Sequence, residues 1–147
     1  MSLLDTQPLR QAAITLVLAG PPRTRHEPKH LGQGRSFPDK RTARGIEAWR
    51  LRWEQAGCPR IDGPVALLVT LEYTRPTSHL TTKGAINATG RRMPVPVAHD
   101  CSNVAKLVED ALKHHAFGDD ALIADLHVTK GWSRAERTTV IISPWLG

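Results

Sequence analysis

Only two cysteines, Cys58 and Cys101, occur in this chain, and neither belongs to a CxxC or to a Cys/His cluster of zinc spacing. That excludes a disulfide framework and points to a cytosolic protein with reduced thiols. No apolar run approaches the roughly 18–20 residues that would cross a bilayer, so no membrane span is expected. The opening MSLLDTQPLRQAAITLVLAG carries an acid where a signal peptide wants basic residues, and its apolar stretch reads as a first strand. There is no internal repeat and no low-complexity tract, which leaves neither a solenoid nor a disordered linker. What remains is 147 residues, 40% hydrophobic and 23% charged, which suits a single globular domain spanning 1–147.

Charge is the first positive sign. Lys and Arg total 20 against 14 Asp and Glu, giving +6. Residues 1–99 hold 15 basic and 7 acidic side chains, whereas residues 100–147 hold 5 and 7, so the excess lies in the first two thirds. A basic surface contributed by one part of a chain favours a polyanion, most commonly nucleic acid.

The apolar pattern predicts β-α-β-α-β-β: a small mixed α/β domain with a twisted sheet and two main helices. Ala13 to Ala19 reads as a buried strand stopped by Gly20-Pro21-Pro22. Residues 21–41 hold four prolines and the cations Arg23, Arg25, Lys29, Arg35, Lys40 and Arg41, and read as an extended basic loop. Thr42 is placed to cap the next helix, where Ile46, Trp49 and Trp53 recur at helical spacing and Gly57 ends the segment. Trp49 and Trp53 are expected in the core. Val65 to Tyr73 reads as a central strand. A second irregular stretch, 74–99, carries Arg75, Lys83, Arg91 and Arg92. Val104, Leu107, Val108, Ala111, Leu112 and His115 then form one helical stripe, with Asp100 or Ser102 suited to cap it. After Gly118-Asp119-Asp120, residues 121–130 alternate with Leu122, Ala124, Leu126 and Val128 on one face. Gly131 is read as the turn into a last strand, Arg137 to Ile142.

Acids frame the second helix: Asp100 at its start, Asp119-Asp120 beyond its end. Clustered carboxylates suit a hard cation such as Mg²⁺, which in a phosphodiesterase stabilises charge on the phosphate and lowers the pKa of an attacking water. A lysine on the same helix, Lys106, would add positive charge at the phosphate. A helix of about 15 residues is roughly 22 Å long, so the two ends can share a site only if the flanking strands fold back. The residue types alone also permit a helix cap at Asp100, a turn at Gly118-Asp119-Asp120 and a Lys106–Asp110 surface pair worth about 0.3–0.5 kcal/mol.

His99-Asp100-Cys101-Ser102-Asn103-Val104-Ala105-Lys106, then Asp110-Ala111-Leu112 and Asp119-Asp120-Ala121-Leu122-Ile123, resemble the signature of the RusA family of Holliday-junction resolvases. That signature runs Pro-Asp-x-Asp-Asn-Leu-x-Lys, Asp-Ala-Leu, Asp-Asp-x-x-Ile. Tyr73 to His79 with Lys83-Gly84, Gly20-Pro21-Pro22, Val128-Thr129-Lys130 and Pro38 to Thr42 extend the similarity over nearly the whole chain. The resemblance implies a homodimeric, Mg²⁺-dependent endonuclease, and the departures from it described below allow Mn²⁺ as a substitute metal. It would nick opposed strands of branched DNA in the cytoplasm of a bacterium or a phage-infected cell. Carried over by position, Asp100, Asp120 and Asp119 are the metal carboxylates and Asp100, Asp120 and Lys106 the catalytic set. Asn103 supports the motif, and Asp110 is structural.

Two positions depart from the signature. Its second carboxylate is Ser102 here, a poor Mg²⁺ ligand, and its proline is His99, a ligand better suited to Mn²⁺ or Zn²⁺. Asp119 could compensate; Asp125, five residues along a strand from Asp120, falls on the opposite face. Arg23, Arg25, Lys29, Arg35 and Lys40 are expected along DNA phosphates, with Arg75, Lys83, Arg91 and Arg92 as a second edge. Phe37 is either a wedge at a junction centre or a loop anchor. The alternatives are a weak or inactive relative that binds branched DNA, and a basic nucleic-acid-binding module without nuclease activity.

Overall fold

The computed structural model describes residues 12–26, 29–31, 34–37 and 39–147. Its strands are β1 (Ile14–Ala19), β2 (Lys29–Leu31), β3 (Arg35–Phe37), β4 (Val65–Thr74), β5 (Ile123–Ser133) and β6 (Arg137–Pro144). The helices are α1 (Lys40–Ala56), the one-turn α2 (Ala88–Arg91) and α3 (Cys101–Leu112). Four strands form one mixed sheet in the order β1-β6-β4-β5, and β2 and β3 form a separate antiparallel pair. The small mixed α/β architecture read from the pattern is therefore the one observed.

Each main element has a local cause. In β4, Val65, Leu67, Val69, Leu71 and Tyr73 are buried and alternate with more accessible residues, as a strand with one covered face requires. β4 is central, parallel to β5 on one side and antiparallel to β6 on the other. On α1, Trp49 and Trp53 turn inward; on α3, Val104, Leu107, Val108, Ala111 and Leu112 do so. Both helices share one core cluster with β1, β4 and β6. The other sheet face stays accessible, with Val17 and Leu68 exposed among threonines.

Several local details differ from the sequence reading. The 21–41 stretch is not wholly irregular, since it contains the β2–β3 pair. Its three-residue strands are too short to show a periodicity. Residues 74–99 likewise contain a 3₁₀ turn at Thr77–His79 and the helix α2. Asp39, not Thr42, caps α1: its carboxylate accepts from Arg41 N–H, which holds its pKa below the usual range. Thr42 is buried instead, and its Oγ1 accepts the His26 N–H at 2.8 Å. The α3 stripe stops at Leu112, before His115, because His114 takes a left-handed φ of 68° and turns the chain. Leu122 lies in a 3₁₀ turn, and a register shift leaves Ala124 as an extra residue before the alternation of β5 resumes. Gly131 is no turn; it pairs with Glu72 inside β5, and the chain reverses at 134–136. β6 is then inserted between β1 and β4, not beside β5.

One glycine sets how closely α1, α3 and the segment after β1 approach. A Cβ on Gly45 would stand 2.7 Å from Leu107 Cδ1 and 3.1 Å from Arg23 Cβ. Overpacking of this kind typically costs about 1–3 kcal/mol. Gly45→Ala is accordingly expected to lower the denaturation midpoint, whereas Ala43→Gly, on the exposed side of the same helix, should change it by no more than about 1 kcal/mol. Equal midpoints for the two variants would show that the helices have room to separate.

Candidate active site

The head of α3 carries the first expected carboxylate. Asp100 occupies the N-cap position with extended backbone (φ −75°, ψ 133°), and its own carbonyl accepts the N–H groups of Asn103 and Val104. Its side chain makes no capping bond and is exposed. The carboxylate thus sits where a cap residue belongs while remaining free for another partner.

The chain reaches Asp100 through a strained residue. His99 has φ 60°, a left-handed conformation that a proline, fixed near −65°, cannot adopt. Three contacts hold it. Its Nδ1 lies 3.0 Å from Tyr73 Oη, its ring stacks on Tyr73 with centroids 6.0 Å apart, and its carbonyl accepts from Lys130 Nζ at 3.1 Å. Tyr73 Oη also donates to the Ala98 carbonyl at 3.1 Å. Burial is the main reason that the Tyr73 hydroxyl is pushed up to about 12. This is the one tyrosine in the chain, so an absorbance titration near 295 nm reads it alone. A midpoint about 2 units above the ordinary 10 is expected. Because the unfolded phenol ionises first, stability should fall as pH rises from 10 to about 12. A midpoint at 10 would contradict the buried placement.

Ser102, Lys106 and Glu109, at i, i+4 and i+7, follow one another along the outer side of α3. The Glu109 carboxyl is raised by partial burial and then by the negative charges of Asp120 and Asp110, with Lys106 opposing. Asp120 therefore faces the third turn of α3. Lys106 does not form the pair with Asp110 that their spacing permits. That carboxylate instead meets Arg25 Nη1 at 3.5 Å and Lys113 Nζ at 3.6 Å.

The acids beyond α3 divide their work. The Asp119 carboxyl is lowered first by a side-chain hydrogen bond with Asp120 and then by accepting the Asp120 N–H, and that second bond, 2.8 Å to Oδ1, makes it the cap of the 3₁₀ turn Asp120–Leu122. Asp120 is exposed, and its carboxylate makes no ion pair with a cation among the described residues.

Asp100 and Asp120 are not brought together. β5 runs parallel to β4, so it starts beside Val65, while Asp100 lies beyond Tyr73 at the far end. α3, 12 residues and about 18 Å long, runs between the two acids. Among the described residues no group of three His, Cys, Asp or Glu is placed to hold a metal ion. The described residues of one protomer alone do not fit a divalent cation.

The expected phosphate-binding cations fall into three groups. Arg25 is engaged by Asp110, and its backbone N–H donates to Asn103 O at 3.3 Å. Arg75 is engaged inside the fold: its guanidinium stands 4.8 Å over the Trp132 ring and donates to Gly90 O at 2.9 Å, while Trp132 Nε1 donates to Met93 O at 2.8 Å. Arg91 donates to Ile86 O at 3.0 Å. Arg23, Lys40, Lys83 and Arg92 are exposed and make no side-chain hydrogen bond or ion pair to the described residues. The side chains of Lys29, Arg35 and Phe37 lie outside the described residues, as does Pro38.

Trp132 was not singled out by the sequence reading, although it holds Arg75 and meets the buried His79 edge-on at 5.5 Å. Its period-two spacing from Val128 and Lys130 on β5 was the available signal.

At the head of α3, then, an exposed acid makes no capping bond, and Arg23 and Arg41 share a cavity with the residue before it. The chain belongs to the endodeoxyribonuclease RusA family, whose model matches residues 19–143, nearly all of the described fold. No curated protein matches it. Membership supports nuclease function and branched DNA as the substrate class. No helix among the described residues is long and apolar enough to cross a membrane.

Proposed function

We propose that this protein is a divalent-metal-dependent endonuclease that resolves four-way DNA junctions by paired nicks, and that each of its two metal sites is shared between the protomers of a symmetric dimer. The observation that carries the reading is the pair of exposed carboxylates, Asp100 and Asp120, at opposite ends of α3. A single Mg²⁺ needs its oxygen ligands about 2.1 Å away, so these two acids of one protomer cannot share an ion across a helix length. A two-fold axis that sets the head of α3 in one protomer against the tail of α3 in its partner creates two identical sites, each with Asp100 from one chain and Asp120 from the other. Paired cuts in opposed strands follow from the same symmetry.

Bound there, a divalent cation would supply charge stabilisation and an acidified water. The chain's own residues do the rest. Lys106, exposed two turns from Asp100, brings a positive charge to the phosphate. Asp119 fixes the turn that presents Asp120, and Asn103 with Asp110 holds the 21–26 segment through Arg25. Arg23, Lys40, Lys83 and Arg92 position the backbone without reading bases.

Ser102 favours a second reading, a relative that binds branched DNA and cuts slowly or prefers Mn²⁺, since the donor set is one carboxylate short. The test is cleavage of a labelled four-way junction beside a linear duplex of the same sequence, with Mg²⁺, with Mn²⁺ and with EDTA. Symmetric nicks in the junction that require metal support the nuclease. Tight junction binding with no cut in either metal supports the second reading. Equal binding of both DNAs without cleavage leaves a basic nucleic-acid-binding module.

A further inference from the structure

A cavity of about 470 Å³ opens between the segment following β1, the first turn of α1 and the residue before Asp100. Its walls include Pro22, Arg23, Thr24, His26, Arg41 and His99. We propose that this cavity is a phosphodiester-binding subsite that seats the DNA backbone next to the phosphate to be cut. The inference rests on the reading that the protein acts on DNA, and it deepens it: to the backbone contact of Arg23 it adds a defined cavity and the side chains of His26, Arg41 and His99.

The lining has the right chemistry. Arg23 is exposed and its guanidinium has no partner among the described residues, so its charge is available to an anion. Arg41 bonds Asp39 Oδ1 through Nε at 3.2 Å, which fixes the side chain and leaves its terminal nitrogens as donors. Asp39 offsets part of the charge. His26 and His99 add ring nitrogens, with His99 Nδ1 turned to Tyr73 and Nε2 remaining. The signature has a proline where His99 stands, and a proline could not donate into the cavity. Arg25, by contrast, is held by Asp110 and is absent from the lining.

The walls are also fixed in advance. Arg25 N–H to Asn103 O at 3.3 Å ties the segment to α3, and His26 N–H to Thr42 Oγ1 at 2.8 Å ties it to α1. Gly45 lets Arg23 Cβ lie against the helix. Preorganised donors bind an anion without the cost of ordering them. The volume lies within the range of about 300–1,000 Å³ typical of ligand sites. His99 directly precedes Asp100 in the chain, so a phosphodiester in the cavity sets the register of the strand against the carboxylate.

The test measures binding of a four-way junction in EDTA, so that no cutting occurs, across a series of salt concentrations. Arg23→Gln and Arg41→Gln are compared with Arg52→Gln, an exposed α1 side chain bonded only to Gln55 Oε1 among the described residues. Arg23→Gln is expected to weaken binding about five- to twenty-fold and to reduce the slope of log affinity against log salt by about 1, with Arg41→Gln smaller in the same direction. Inorganic phosphate should shift the amide signals of Thr24 and His26 and leave those around Arg52 in place. Arg23→Gln behaving like Arg52→Gln, or a wild type that binds no DNA, overturns the subsite. A wild type that binds with these slopes yet never cuts when metal is restored sinks the nuclease reading and leaves the subsite standing.

Discussion

Asp120→Asn should lower metal-dependent nicking of a four-way junction by more than about a hundredfold, or about 2.7 kcal/mol of transition-state stabilisation. Its folding midpoint should stay within about 0.5 kcal/mol of wild type, because a side chain this exposed contributes little to the folded state. Asp119→Asn provides the contrast. An asparagine Oδ1 can still accept the Asp120 N–H, so the turn is kept and the loss should be under about tenfold. The substitution at 120 has a second readout independent of catalysis. Removing that negative charge relieves Glu109, whose carboxyl should then titrate closer to its ordinary value. Unchanged cleavage in Asp120→Asn, or an unmoved Glu109, would remove Asp120 from the site.

Phe117→Ala is expected to be the most destabilising change near the site, costing about 3–5 kcal/mol. Phe117 is completely buried in the shared core, and its carbonyl accepts the His114 N–H at 2.7 Å in the turn that ends α3. Against a typical total of about 5–15 kcal/mol, such a loss leaves a marginal domain. Phe117 also stands two residues before Asp119. The hollow left by the ring should therefore loosen the acidic turn, and cleavage should fall more steeply with temperature than in wild type. Phe117→Leu fills much of the hollow and should recover most of the stability. Urea denaturation of the three proteins decides it: a loss below about 1 kcal/mol in the alanine variant would contradict the packing described.

Long, regular elements were legible in the sequence because burial imposes a period on them. The stripe Val104 to Leu112 and the two inward tryptophans of α1 are observed where the pattern put them, and β4 lies where the Val- and Leu-rich run Val65 to Tyr73 put a strand. Elements without room for a period were not legible. β2 and β3 have three residues each and α2 has four, too few for either repeat to appear. Gly131 misled because glycine signals a turn, yet here it occupies a strand where nothing lies within 4 Å of its missing Cβ. The actual reversal, Arg134-Ala135-Glu136, contains neither glycine nor proline. His115 extended the apparent α3 stripe although a left-handed His114 ends the helix first, a choice that local composition does not reveal.

The candidate site divides in the same way. The positions of Asp100, Lys106 and Asp119-Asp120 came from a motif, and the helix length between the acids followed from their spacing. Which acid caps and which stays free did not follow, since an aspartate at a helix head normally caps; here Asp100 does not and Asp119 does. The expected return of Asp120 toward Asp100 depended on strand direction, and the parallel pairing of β4 with β5 decides against it within one chain. Arg75 and Arg25 looked like phosphate contacts because charge on a loop is normally solvated. Their partners, Trp132 and Asp110, lie 57 and 85 residues away in the sequence.

The shared metal site is tested most directly by mixing two inactive proteins. Asp100→Asn and Asp120→Asn protomers are unfolded together, refolded into mixed dimers and assayed on a four-way junction with Mg²⁺ and with Mn²⁺. If each site takes Asp100 from one chain and Asp120 from the other, every mixed dimer contains one intact site and one doubly defective site. Random pairing makes about half of the dimers mixed, so cleavage should return to about a quarter of the wild-type sites, as single nicks and not paired ones. A mixture as inactive as its two components, beside a wild type that cuts, would place both carboxylates of each site in the same chain and contradict the shared site.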